Sequence, residues 1–299
     1  MFSRILFPTD FSRHATKVLE CLPALKNAGL EEVVLLHVIN PIKAARWISV
    51  DESVIARLKR EAQSQMEAII AQICSAHGLS GRYRIAVGVT YQEIVRVATE
   101  EQVSLIIMGS HGRGFVRGAV LGSVTQNVLR HTRTPLLIEK FRFIEQQGKE
   151  VCDFVCQGMF RKILFPTDFS DCALSALQMV KQLRTCGAEE VVLVHIQDTR
   201  RLLPPVLSQR EELQKQDQER LEEIKGQLHF LGYRVKSILR EGIPFVEINR
   251  IAEEEDVCMI VLGSHGKSAI KEALIGSVSE AIAREHIRPV LVIPRNWEG

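Results

Sequence analysis

The chain has 299 residues, 46% of them hydrophobic and 25% charged, with a formal net charge of +2. That is enough for two ordinary globular domains with a core each, and the near-neutral charge gives no electrostatic reason to expect nucleic acid. No run approaches the roughly 18 apolar residues of a membrane span, the N-terminal MFSRILFPTDFS is too short an apolar run for a secretory leader, and seven scattered cysteines without a C-x-x-C predict free thiols, so the expected location is cytoplasmic.

In chain order, Arg4–Phe7 reads as a strand, Pro8-Thr9-Asp10 as a turn, and Ser12 as the N-cap of a helix running to about Asn27. The unbroken apolar run Val33–Val38 predicts a strand buried on both faces. A long helix follows, carrying Ile55, Leu58, Ala62, Met66, Ile69 and Ile73 at spacings of three and four. Tyr83–Val89 is then a strand, Tyr91–Glu100 a helix and Ser104–Met108 a strand. The stretch GSHGRGFVRGAVLGSV, Gly109 to Val124, leads into a helix with Leu121, Val124 and Val128 on one face, and Leu136–Ile138 closes the series as a short strand.

The series is then written again. ILFPTDFS occurs at Ile5–Ser12 and at Ile163–Ser170, and EEVVLLHV at Glu31–Val38 is answered by EEVVLVHI at Glu189–Ile196. GSHGKSAIKEALIGSV, Gly263 to Val278, repeats the glycine stretch, and the second copy ends in Val290–Ile293. The repeat is too long for a solenoid unit and marks a tandem duplication. Residues 1–140 and 161–299 are the expected domains, joined by a linker, 141–160, whose apolar residues predict packing on a surface. Strands alternating with helices imply an α/β fold, a parallel sheet with helices on both faces in each copy.

In such sheets ligands bind beyond the carboxyl ends of the strands, where strand order reverses. The glycine stretch starts at such an end and runs into a helix, whose first N–H groups suit phosphate. Both copies keep the pattern G-x2-G-x9-G-S, with Gly109, Gly112 and Gly122-Ser123 answered by Gly263, Gly266 and Gly276-Ser277, whereas Gly114 and Gly118 become Ser268 and Glu272. Retained glycines among replaceable ones predict a backbone cradle for an anion. A P-loop is excluded because Val261 stands where its first glycine belongs, and the first strand is followed by PTDFS instead of a dinucleotide-binding glycine motif.

The duplicated set of P-T-D after the first strand, H-V or H-I at the end of the second and G-x2-G-x9-G-S after the fourth resembles the universal stress protein family, over both halves and all but the linker. For its ATP-binding branch the resemblance implies a five-stranded parallel sheet of order 3-2-1-4-5 in each copy. It further implies a site for ATP or another adenine nucleotide; a divalent ion such as Mg2+ bridging the phosphates, held partly by nucleotide oxygens and water, is compatible with it. Asp10 would hold ribose or adenine, and the backbone of Val38 would meet the adenine edge. Gly109, Gly112, Gly122 and Ser123 would hold the phosphates, with His111 and Arg113 beside them and Pro8, Thr9, Met108 and Val124 flanking. The copy-two set is Asp168, Ile196, Gly263, Gly266, Gly276 and Ser277, with His265 and Lys267 beside them and Pro166, Thr167, Leu262 and Val278 flanking. Pairing through the two final strands, as an intramolecular pseudo-dimer with a homodimer as a further step, is also implied.

Other readings stay open at this point. Asp10 and Asp168 are alternative helix caps, although Ser12 and Ser170 can fill that role. His37 and His195, at the ends of buried strands, read as structural, and Leu221, Ile224, Leu228 and Leu231 as core or domain-interface packing. No carboxylate stands at a repeated position within the cradles, which favours a nucleotide-binding regulatory protein with little or no hydrolysis. A slow ATPase or phosphotransferase using His111 or Asp10, and an interaction scaffold without nucleotide, are the alternatives.

Overall fold

The computed structural model describes residues 1–299 other than 13, 14, 16, 17, 46–50, 111–120, 147, 148, 155–157, 202–209, 268–274, 296, 298 and 299. The chain divides into two compact units, Met1–Asp153 and Phe154–Gly299.

In the first unit, β1 (Arg4–Pro8), β2 (Glu32–Ile39), β3 (Ser80–Val87), β4 (Leu105–Gly109) and β5 (Leu136–Glu139) form parallel pairs in the order β3-β2-β1-β4-β5. Two further strands, β6 (Phe141–Gln146) and β7 (Lys149–Phe154), pair as a two-stranded sheet within the linker. The second unit repeats the first with β8 (Lys162–Pro166), β9 (Glu190–Asp198), β10 (Arg234–Gly242), β11 (Met259–Gly263) and β12 (Val290–Ile293) in the order β10-β9-β8-β11-β12. The expected order 3-2-1-4-5 therefore holds in both copies. Order reverses between β1 and β4, and between β8 and β11, which opens a crevice at their carboxyl ends.

The central strands are buried on both faces, as their continuous apolar runs require: Ile5, Leu6, Val33–Leu36 and Leu105–Ile107 in one unit, Ile163–Phe165, Val191–Val194 and Met259–Val261 in the other. The helix following β2, Glu52–His77, lays Ala62, Met66 and Ile73 on its sheet, while Ile55, Leu58 and Ile69 are half-buried.

Several elements differ from expectation for local reasons. Ser12 Oγ accepts from Ala15 N at 3.2 Å, while most of the turn that would follow, 13, 14, 16 and 17, lies outside the described residues. A 3-10 turn at Leu19–Cys21 then interrupts the run before the helix Leu22–Asn27, which carries Pro23 in its first turn. Proline offers no N–H, and its ring crowds the carbonyl four residues back. The second copy, without that proline, runs an unbroken helix over Asp171–Leu183 with Ser170 as its cap, 3.3 Å from Ala173 N. β3 starts at Ser80, three residues before Tyr83, because its register with β2 extends back to Glu32, and it ends at Val87, where Gly88 N turns back to Ile39 O. Leu121 precedes its helix, Ser123–His131, whose buried face is Thr125, Val128 and Leu129. Leu231 falls beyond the helix Arg210–Phe230 and is 39% exposed, so it takes no part in the core made by Leu221, Ile224 and Leu228. At the linker's end Met159 and Phe160 are buried. Among the described residues Cys21, Cys74, Cys172, Cys186 and Cys258 are free thiols.

Candidate functional site

The second unit shows how the turn after β8 and the glycine stretch after β11 are locked together. Thr167 and Asp168 each take a backbone N–H two residues on, Phe169 N to Thr167 Oγ1 at 3.1 Å and Ser170 N to Asp168 Oδ1 at 3.1 Å. The turn needs a left-handed residue, and Phe169 supplies it at φ 60°, an uncommon torsion for a non-glycine side chain. Its ring packs on His195, with centroids 4.6 Å apart, and His195 Nδ1 lies 2.7 Å from Thr167 O, so the histidine clamps β9 to the turn. The other oxygen of Asp168, Oδ2, accepts from Lys267 N at 2.6 Å. Ser170 is the helix cap, so Asp168 is released from that role and reaches across to the cradle.

The glycines are required by close approach and not by torsion. A Cβ at Gly263 would stand 2.7 Å from Cys172 O, one at Gly266 would run into the Asp168 carboxylate, and one at Gly276 would press on the His265 backbone at 3.3 Å. Gly276 itself sits at φ −74°, open to any residue. Gly276 N donates to Ser264 O at 2.8 Å, which closes the cradle, and Ser279 Oγ donates to Gly263 O at 2.7 Å. Gly276 caps the helix Ser277–Glu285 without a side chain, so the first-turn N–H groups face the cradle uncapped. His265 Nδ1 lies 2.8 Å from Ser264 Oγ, and the Lys267 ammonium sits 5.4 Å above the Phe169 ring.

These groups line a cavity of about 520 Å³ at the carboxyl edge of the sheet, within the range of small-molecule sites. Pro166, Thr167, Asp168 and Ile196 form one side. Leu262, Gly263, His265, Gly266 and Lys267 form another, and Gly276, Ser277 and Val278 the helix end.

The first unit repeats the arrangement around a cavity of about 700 Å³. Pro8, Thr9, Asp10 and Val38 line it, as do Met108, Gly109, Gly122, Ser123 and Val124. Asp10 Oδ1 accepts from Ser12 N at 3.0 Å, and Phe11, at φ 59°, stacks on His37 at 4.4 Å. His37 Nδ1 is 2.9 Å from Thr9 O. Gly122 N donates to Ser110 O at 2.7 Å and Thr125 Oγ1 to Gly109 O at 3.0 Å, the counterparts of the second cradle. His111, Gly112 and Arg113 lie outside the described residues, as do Ser268 and Glu272 of the second copy.

Sequence reasoning missed the wall opposite the cradle. In the first unit it is Ile39, Leu58, Ala62 and Ile94, with Asn40, Glu61, Gln65 and Thr90 also at the lining; in the second, Gln197, Leu213, Asp217 and Ile248, with Arg200 and Arg210 beside them. Gln197 Nε2 donates to Asp217 Oδ2 at 2.9 Å, and His195 Nε2 is 3.4 Å from the same oxygen. Arg200 is paired with Asp198 and Arg210 with Glu241. Setting the two copies' helices side by side would have shown a carboxylate, Asp217, at a position that is apolar, Ala62, in the first copy.

The sequence profile described as Universal stress protein family matches residues 1–140 and again residues 159–294. Universal stress protein MJ0577 of Methanocaldococcus jannaschii is 40% identical over 156 residues, 46% of this chain and 96% of that protein. A universal stress protein of Mycolicibacterium smegmatis is 21% identical over 279 residues, 90% of each chain. The crystal structure of a universal stress protein from Archaeoglobus fulgidus superposes with a TM-score of 0.72 at 26% identity, covering 98% of this chain and 96% of that one.

Proposed function

Because the chain belongs to the universal stress protein family, we propose that each of its two copies, 1–140 and 161–299, is a binding domain for an adenine nucleotide, and that the protein is regulatory with little or no hydrolysis. The observation that carries this reading is the cradle of the second unit. Glycines that close approach makes necessary bring backbone N–H groups and an uncapped helix start onto one side of a nucleotide-sized cavity. That donor set suits phosphate oxygens. The strand-end backbone at Ile196 offers the opposite side to a base.

Little or no hydrolysis is expected because of how Asp168, the carboxylate at the cradle, is held. Both its oxygens already accept backbone N–H groups, so it positions the loop and is poorly placed to take a proton from water. Among the described residues no three His, Cys, Asp or Glu side chains gather to hold a metal. A magnesium ion would therefore enter on the phosphates, coordinated largely by their oxygens and by water.

Denaturing the purified protein and identifying the released small molecules tests the reading, with up to two adenine nucleotides per chain expected. Calorimetric titration with ATP and magnesium is the companion measurement. No released nucleotide together with no heat of binding would overturn it. Steady phosphate release lost on Asp10→Ala would favour the enzymatic alternative.

A further inference from the structure

The two cavities have equivalent floors and differ along one wall. β2 and β9 run in the same frame, with His37 and His195 clamping equivalent turns, so Gln197 stands where the first unit has Ile39. The helices behind them match by their buried residues, Met66 and Ile73 against Leu221 and Leu228, and that register sets Asp217 against Ala62. Asp217 thus occupies the place of Ala62, and each lines its own cavity; the carboxylate that the first helix does bring to its cavity, Glu61, is 60% exposed and paired with Arg57 at 3.8 Å.

Asp217 is held in position. Its Oδ2 takes the Gln197 amide at 2.9 Å and lies 3.4 Å from His195 Nε2, and its side chain is 15% exposed. Among the described residues its Oδ1 accepts no hydrogen bond, while the Gln197 side-chain nitrogen gives one of its two N–H groups to Oδ2. The wall of the second cavity therefore presents an acceptor held by His195 and Gln197, the two neighbours of Ile196, whose backbone faces the base in the reading above.

We infer that Asp217 makes the second pocket select a purine bearing a 6-amino group over one bearing a 6-oxo group, and that the first pocket, with Ala62 there, does not discriminate in this way. The inference rests on the nucleotide reading. An amino group donates to the carboxylate. A carbonyl in its place sets two acceptors against each other in a site partly stripped of water, and a site built to pair a polar group rejects the analogue that cannot pair it. A purine with hydrogen at position 6 loses the bond without the repulsion and falls between. The order amino, hydrogen, oxo is specific to an acceptor at this edge; a carboxylate reading the N1–H of the 6-oxo base would put oxo first.

The test labels the full-length protein with 8-azido-ATP and maps labelled peptides of each unit by mass spectrometry, with ATP, purine riboside triphosphate and ITP as competitors. At the second unit ATP is expected to compete better than ITP by about tenfold or more beyond the ratio at the first unit, with the 6-hydrogen analogue between. Asp217→Asn should collapse that excess, and Ala62→Asp should confer it on the first unit, a second variant that serves if the first does not fold. Equal ratios at the two units, or an excess unchanged in folded Asp217→Asn, would overturn the inference and leave the nucleotide reading standing. Absence of specific labelling at both units would overturn the two together.

Discussion

At the scale of single residues, the cradle depends on Gly266 lying against the Asp168 carboxylate. Gly266→Ala inserts a methyl where that oxygen stands, so the bond from Lys267 N to Asp168 must break. We expect the variant to lose ligand at the second site by at least about tenfold while the first site is unaffected, read as a drop of one in the nucleotides counted per chain. Glu139 gives a prediction of another kind. Its carboxyl is fully buried, and burial outweighs the neighbouring Lys140 backbone N–H to push its pKa up from 4.5 to about 8. The folded protein then holds this proton more tightly than the unfolded chain. The stabilising contribution is whole below the unfolded pKa and is lost as pH rises through about 8, at about 1.4 kcal/mol per pH unit inside that window. Glu139→Gln should flatten that slope and raise the melting temperature at pH 8, as thermal scans across the window would show. An unchanged slope would mean another group carries it.

At the scale of elements, β3 is an edge strand, and a polar lattice holds it in place. Glu101, 8% exposed, receives both Arg82 and Arg84 from β3, and Arg82 also reaches Glu32 on β2 at 2.5 Å. Removing one partner of such a half-buried set strands the others. Glu101→Ala should cost about 1–3 kcal/mol, with faster amide exchange along β3 and none of that change along β1. The elements also show what a sequence discloses. Strand and helix identities follow from apolar periodicity, and the 3-10 interruption before Pro23 is explicable from one residue. The start of β3 at Ser80 was not legible, because it is fixed by pairing with Glu32 far away in the chain. The cradle glycines were legible as a spacing, since two copies could be compared. The bond from Lys267 N to Asp168 crosses 99 residues and leaves no local trace. Asp217 went unseen because the two copies fall out of step between strand and helix, and only the buried faces restore the alignment.

At the scale of the whole molecule, each unit carries its own five-stranded sheet, its own buried strands and its own cavity. Ligand that binds only the folded state stabilises the unit it occupies, by about 2.7 kcal/mol at a hundredfold excess over Kd. Scanning calorimetry with ATP should therefore raise the unfolding temperature of the second unit in the wild type and raise it markedly less in Gly266→Ala at the same ATP concentration, with the first unit shifted equally in both. A shift of the second unit undiminished by the substitution would remove the cradle from the account of binding.

The torsions of Phe11 and Phe169, φ 59° and 60°, are the same to within a degree, although few side chains accept that conformation. Each phenylalanine keeps its ring on a histidine. The turn has thus kept both residue and geometry in the two copies, while the wall facing it has gone from Ala62 to Asp217. Every molecule consequently carries its own reference channel. Two pockets meet the same ligand at the same concentration, temperature and salt, so a difference in their occupancy reports on what differs between them, with the shared turn cancelling out.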